Sequence, residues 1–325
     1  MSAEIQAIAE KFLAKTKPCG NDQIMALCPF HPDETPSFTM SLTRGVYLCF
    51  SCKESGSLTT FLRAMGVSRA RIDTEYKYIL EDIERYRPKK ADPLRVAPAA
   101  PPLPEAILGL FEYCPTALLQ EGFEESLLAK LDVGYDKVHE RITFPLRDER
   151  GRLIGISGRT VTDERPRYKV YDTEYEVWGL PARDTKKRSI IWNLHNVFPH
   201  VYFANDQSVV VVEGFKACMK LMQSGIKNTI ALLGSYMSKE QQWAIERLGA
   251  RTYYLMLDND DAGFAGRESI GRTLSKSLSD VRVVQYEADQ PSDLEGEEIA
   301  DALATATEYH LWKIRQRSTI EQPNN

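Results

Sequence analysis

The sequence predicts a multidomain chain: a small metal-stapled domain built on a β-hairpin with helices, an α+β subdomain, and an α/β subdomain with a parallel, helix-covered sheet. Three observations predict this. Four metal-type ligands occur near the start in two paired spacings, Cys28 and His31 in "LCPFHPDE" and Cys49 and Cys52 in "YLCFSCKE". Six prolines fall between Pro88 and Pro104, in a stretch that suits neither a helix nor a central strand and reads as an extended linker. From Ser208 onward, short apolar runs alternate with helical patterns, the signature of a parallel sheet.

In the first segment, Ile5, Ile8, Phe12 and Leu13 have helical spacing. "SFTMSLTRGVYLCF" reads as two strands around a Thr43-Arg44-Gly45 turn, and Ser57 is placed to cap a helix that Gly66 ends. Each Cys-x-x-ligand pair can grip a metal from a tight knuckle. Two knuckles joined by the hairpin give the tetrahedron that zinc prefers, and a sulfur-rich set favours zinc over magnesium or calcium. With four protein ligands no position remains for water, so one structural Zn²⁺ is expected, folding the hairpin and presenting side chains. Arg44, Tyr47 and Lys53 are the expected contact residues, because a basic, aromatic hairpin suits single-stranded nucleic acid.

After the linker, "AILGLFEYCPTALLQEGFEESLLAKLDVGYD" is helical in pattern, and "RITFPLRDERGRLIGISGRTV" gives two strands across an Arg150-Gly151 turn. The expected boundaries are a zinc-binding domain over 1–87, a linker over 88–104, the α+β subdomain over 105–204, the α/β subdomain over 205–290, and a C-terminal helical segment and tail over 291–325.

In the α/β subdomain, "YYLMLDNDDAG" runs from apolar residues into clustered acids. Crowded carboxylates are tolerated mostly where a cation neutralises them. An EF-hand loop starting at Asp258 fails, because its fifth position is Ala262 and its twelfth Ser269. In open α/β sheets ligands bind outside the carboxyl ends of strands, where both Glu213 and the Asp258 cluster fall. Glu213, Asp258 and Asp260 therefore form a candidate Mg²⁺ or Mn²⁺ site suited to nucleotidyl transfer, since Mg²⁺ binds through one or two carboxylates plus phosphate oxygens. Met219 and Met222 suit a packed helix, and Trp178, Trp192 and Trp243 read as core or partner contacts.

Composition bounds the partners. The 325 residues are 43% hydrophobic with a net charge of −5, which argues against non-specific coating of nucleic acid. The basic excess is local: residues 137–190 hold 13 Lys and Arg against 9 acids, while residues 96–136 hold 1 against 7. No apolar run approaches the roughly 20 residues of a membrane span. No secretory signal opens the chain, and the cysteine pattern fits a reducing compartment, so a cytoplasmic location without membrane contact is expected.

"CPFHPDETPSF" with "YLCFSCKESGSLTTFL" resembles the zinc-binding domain of DnaG-type bacterial and phage primases. "RITFPLRDERGRLIGISGRTV" and "PRYKVYD" resemble the start of that family's RNA polymerase domain, and "VVVVEGFKACMKLMQSG" and "LMLDNDDAG" its Toprim fold. The resemblance implies template-directed joining of ribonucleoside triphosphates into short RNA primers on single-stranded DNA. It makes Glu213 a metal ligand or proton acceptor and Asp258 and Asp260 an Asp-x-Asp metal pair, with Asp261 outside the ligand set. It also places Arg159 and Lys169 toward template or nucleotide, with Arg147 and Arg167 adding charge nearby. Two positions depart from the family pattern: Ala217 stands where an aspartate is common, and Gln290-Pro291-Ser292 where Asp-Pro-Asp is common. Asp289 and Asp293 are then the candidates for a second metal.

No Gly-x-x-x-x-Gly-Lys-Ser/Thr loop occurs, so a fused helicase motor is not expected and a separate replicative helicase is the expected partner. A phage or mobile-element origin, and a linker that lets the zinc domain reach a second copy of the chain, complete these expectations. The competing readings are a Toprim nuclease or topoisomerase-like enzyme and a non-catalytic DNA-binding adaptor.

Overall fold

The computed structural model describes residues 2–20, 22–85, 101–180, 182, 185–203, 207–277 and 280–320. Residues 88–100 of the proline-rich segment thus lie outside the described residues. Two compact units divide the chain. The first comprises residues 1–117, 128–185 and 198–204, and the second 118–127, 186–197 and 205–325.

The first unit holds two antiparallel sheets. Strands β1 (Lys17–Cys19), β2 (Gln23–Ala26), β3 (Phe38–Ser41), β4 (Val46–Cys49) and β5 (Ser55–Ser57) form a sequential meander, each paired with the next. The sequence reading identified only β3 and β4. The other three are three or four residues long, too short to show an alternating pattern. The turn between β3 and β4 closes as expected, with Gly45 at a φ of +59° and its N–H donating to Ser41 O. Ser57 caps the helix Leu58–Ala64 by accepting from Thr60 N–H, and Gly66 lies just past its end at a φ of +79°. Ile5, Ile8, Phe38, Tyr47 and Phe61 pack into one buried core.

Strands β6 (Gly134–Asp136), β7 (Arg141–Arg147), β8 (Leu153–Thr160) and β9 (Tyr168–Val170) form the second sheet. The segment before it is less continuously helical than its pattern predicts. It breaks into a 3₁₀ turn, Glu105–Phe111, and the short helices Thr116–Gln120 and Glu125–Lys130, because Pro115 and Gly122, at a φ of +86°, interrupt it.

A buried ion cluster ties these parts of the first unit together. Asp132 accepts from Arg147 at 2.8 Å and Arg69 at 3.2 Å and also pairs with Arg63, while Arg147 grips Glu105 through two bonds of 2.6 and 2.9 Å. Desolvation pushes the Asp132 carboxyl up, but the charges of Arg147 and Arg63 outweigh it and hold it below its usual range.

The second unit carries β10 (Ser208–Val212), β11 (Thr229–Ala231), β12 (Thr252–Leu255), β13 (Asp280–Val283) and β14 (Thr307–Glu308) in the order β11-β10-β12-β13-β14. The first four are parallel, and β14 adds an antiparallel edge. Val209 to Val212 are all buried, as expected of a central strand covered on both faces. The chain leaves β10 to one side for β11 and returns to its other side for β12. The crevice between β10 and β12 is therefore the switch point where such sheets place their ligands.

Candidate metal centres

The Sγ atoms of Cys28, Cys49 and Cys52 and a ring nitrogen of His31 all lie within 4.8 Å of one another. Cys28 and Cys52 sulfurs are 3.8 Å apart, and Cys49 Sγ is 3.9 Å from His31 Nδ1. Each knuckle is shaped by its own backbone: Phe30 N–H donates to Cys28 Sγ and Cys52 N–H to Cys49 Sγ, both at 3.4 Å. Asp33 braces the first knuckle by accepting from Cys28 N–H at 2.8 Å and Ser37 Oγ at 2.7 Å. Burial pushes the Cys28 and Cys52 thiols up, so a bound cation is what would keep them as thiolates. Three sulfurs and one imidazole nitrogen closing at this size suit Zn²⁺.

The acidic centre is built differently. Glu213 follows β10 and Asp258 lies just beyond β12, and the register Val211↔Leu255 sets these ends side by side. Asp258 N–H donates to Glu213 Oε1 at 3.2 Å. Gly263 permits the closeness, since a Cβ there would come 2.0 Å from Asp258 O and 2.8 Å from Glu213 Oε1. Asp260 caps the helix Asp261–Leu274, its Oδ1 accepting from Gly263 N–H at 2.7 Å. One of its oxygens is thus committed to the backbone, and among the described residues these carboxylates do not close to the spacing of the zinc ligands.

Desolvation first, then the Asp258 charge, pushes the Glu213 carboxyl up to about 7. Desolvation and the Asp260 charge push Asp258 up to about 6. Two acids so destabilised as anions beside an exposed aspartate are what a divalent-cation site requires. The donor set, all carboxylate oxygens, is the hard one that Mg²⁺ or Mn²⁺ takes. Asp289 and Asp293 are both exposed. The main-chain carbonyl of Asp289 accepts from Asn259 N–H at 2.7 Å, and Asp293 Oδ1 accepts from Gln290 Nε2 at 2.9 Å. Ala217 is buried in the helix Phe215–Gln223.

Sequence comparison places this architecture. The CHC2 zinc finger matches residues 1–75, the DNA primase catalytic core N-terminal domain residues 116–176, and the Toprim domain residues 207–285. All three occur in one chain, in this order. Segment by segment, the chain is similar to DnaG-type primases. It is 28% identical over 289 residues to a DNA primase of Deinococcus radiodurans, covering 76% of this chain and 48% of that protein. It spans about half the length of the curated relatives it matches. In fold it is similar to the zinc-binding and RNA polymerase domains of Aquifex aeolicus primase, with a TM-score of 0.57 and 22% identity over 94% of this chain and 83% of that one. A DnaG primase catalytic domain solved bound to single-stranded DNA is similar over 62% of this chain and 74% of that one, with a TM-score of 0.51 and 20% identity.

Two residues expected to contact template are corrected. Tyr47 is 2% exposed and stacks on Phe38 and Phe30 at centroid distances of 5.2 and 5.5 Å, so it belongs to the core of the zinc-bearing region. Three consecutive residues of β4, Tyr47 to Cys49, are buried, so no alternation in the hairpin marked Tyr47 as inward. Arg147 is 5% exposed and spent on Glu105 and Asp132. Arg159 is also largely covered, at 8% exposure, and Lys169 pairs with Glu174. Arg167 and Lys53 are exposed. Arg44 is exposed too, its guanidinium 4.4 Å from the centroid of the Tyr202 ring. Sequence reasoning missed Asn259 and Arg267, which hold the acid-bearing turn. Arg267 sits in a helical stretch with no pattern to mark it.

Proposed function

We propose that this chain is a DNA primase that joins ribonucleoside triphosphates into short RNA primers on a single-stranded DNA template. The observation that carries this reading is the seating of Glu213 against Asp258 at adjacent parallel strand ends, in a chain that also holds a Cys₃His zinc cluster and is similar, segment by segment, to DnaG-type primases. The relative solved with single-stranded DNA supports the template assignment.

In this reading Asp258, Asp260 and Glu213 bind Mg²⁺ or Mn²⁺ together with nucleotide phosphates, and Asp289 or Asp293 supplies a further ligand. When bound, such an ion would supply Lewis-acid chemistry, lowering the pKa of a 3′ hydroxyl and neutralising phosphate charge. In place of the ligand role, Glu213 is the alternative proton acceptor for that hydroxyl, since without a cation on it burial and the Asp258 charge push its carboxyl up to about 7. Gly263 keeps the helix N-terminus close enough that its partial positive charge faces the anionic cluster. Arg167 and Lys169, with Arg44 and Lys53 of the zinc-bearing region, position template through phosphate contacts, which fix register without reading sequence. A separate replicative helicase delivers the template.

The test is incubation of the full chain with single-stranded DNA, ribonucleotides and Mg²⁺ or Mn²⁺, reading labelled oligoribonucleotides. Short products that Asp258→Ala reduces by more than about a hundredfold are expected, a loss beyond the 10–100-fold typical of groups that only support metal ligands. Template cleavage without synthesis would replace this reading with a Toprim nuclease.

A further inference from the structure

Arg267 is buried to 5% exposure inside the helix Asp261–Leu274, about two turns past the acid-bearing turn that helix follows. A buried guanidinium is costly unless it is paired, and among the described residues no carboxylate forms an ion pair with it. Its Nη2 donates instead to the main-chain carbonyl of Leu257 and, at 2.6 Å, to the side-chain oxygen of Asn259. Asn259 stands between Asp258 and Asp260. Its amide nitrogen donates at 2.7 Å to both Tyr286 O and Ala288 O, and its backbone N–H donates at 2.7 Å to Asp289 O. Tyr286 Oη closes the ring by donating to Leu257 O at 2.6 Å.

Three of the four hydrogen bonds of Asn259 therefore join two acid-bearing segments: the turn with Asp258 and Asp260, and the segment that carries Asp289 and leads to Asp293. The bond from Arg267 occupies Asn259 Oδ1, which orients the amide so that its nitrogen faces the second segment. Without that donor the amide could rotate and the tie would be lost.

We infer that Arg267 and Asn259 act as one positioning unit that sets the spacing between the Asp258/Asp260 turn and the Asp289/Asp293 segment, and thereby the divalent-cation affinity of the acidic centre. This rests on the reading of that centre as the catalytic metal site. The pair holds ligands in place and contacts neither substrate nor the reacting atoms. Arginine suits the task because the two N–H bonds of its Nη2 are held in the guanidinium plane and aimed at the two acceptors, whereas a lysine ammonium rotates about its stem.

The experiment titrates Mn²⁺ into the zinc-loaded full chain, following free Mn²⁺ by electron paramagnetic resonance, well below the melting temperature of each variant. Asn259→Ala and Arg267→Met are each expected to weaken Mn²⁺ binding about tenfold, as outer-shell changes do. The double variant is expected to lose no more than the worse single one, because both act through the same amide. Arg267→Lys should fall between wild type and Arg267→Met. Should Arg267→Met fail to fold, Asn259→Ala, at an exposed position, decides alone. Wild-type affinity in folded Asn259→Ala, or a double loss equal to the product of the single losses, would overturn the inference. Two controls separate this from the primase reading. A chain that binds Mn²⁺ through Asp258 but makes no primers refutes the primase reading, while the expected affinity losses still support the pair. Unchanged Mn²⁺ binding in Asp258→Ala refutes both.

Discussion

The two metal-type centres differ in how their ligands are gathered. At the zinc cluster, ligands come in pairs three residues apart, so each knuckle is a local backbone event and only one tertiary step, the pairing of β3 with β4, brings the pairs together. All four donors close within 4.8 Å. At the acidic centre, Glu213 and Asp258 are 45 residues apart and meet only through the register of a parallel sheet. One carboxylate there caps a helix and two are pushed up by burial and mutual charge. On the proposed reading the contrast follows from chemistry: a structural site gains by completing its coordination, whereas a site that admits phosphates gains by leaving room.

The sharpest way to break this comparison is to remove zinc. Cys49→Ser should release the metal and unfold the β1–β5 region, since structural zinc contributes on the order of 10 kcal/mol to small domains. Zinc content by atomic absorption and backbone amide spectra would check this. A chain with no zinc and an intact β1–β5 sheet would show that the aromatic core, not the metal, holds that region.

A second, smaller effect concerns the acids. Burial and neighbouring carboxylates push Glu213 and Asp258 up to about 7 and about 6 in the folded chain, above the ordinary 4.5 and 3.8 of these groups. The folded chain therefore holds more protons than the unfolded one between these limits. These two groups contribute stability at low pH that is lost as pH rises through about 7. In Mg²⁺-free buffer, denaturant midpoints from about pH 5 to about pH 8 should fall more steeply for wild type than for Glu213→Gln. Added Mn²⁺ should offset the loss most at the higher pH. Equal slopes would mean that Glu213 is not held in the destabilised state that distinguishes this centre.

The smallest expected effect sharpens the zinc side. Tyr47→Phe, which removes the buried hydroxyl's hydrogen bond with the Thr60 side chain, should cost about 1 kcal/mol of stability and leave template affinity unchanged by fluorescence anisotropy. A selective loss of affinity would return Tyr47 to the contact surface.

The sequence by itself picked out the parallel-sheet unit, the four residues Cys28, His31, Cys49 and Cys52 that the fold gathers, and Glu213 and Asp258, which meet at adjacent strand ends. These signals are carried by short spacings and by hydrophobic runs ending in charge, both of which survive without tertiary context. Only the tertiary structure decided that Tyr47 and Arg147 face inward, because a four-residue strand does not reveal which side is covered and a lone arginine does not reveal that Glu105 and Asp132 await it. It alone assigned Asp260 to a helix cap and joined Asn259 to Arg267. Hydrogen bonds between a turn, a helix and a distant loop depend on directions in space, and those directions exist only once the sheet has set its register.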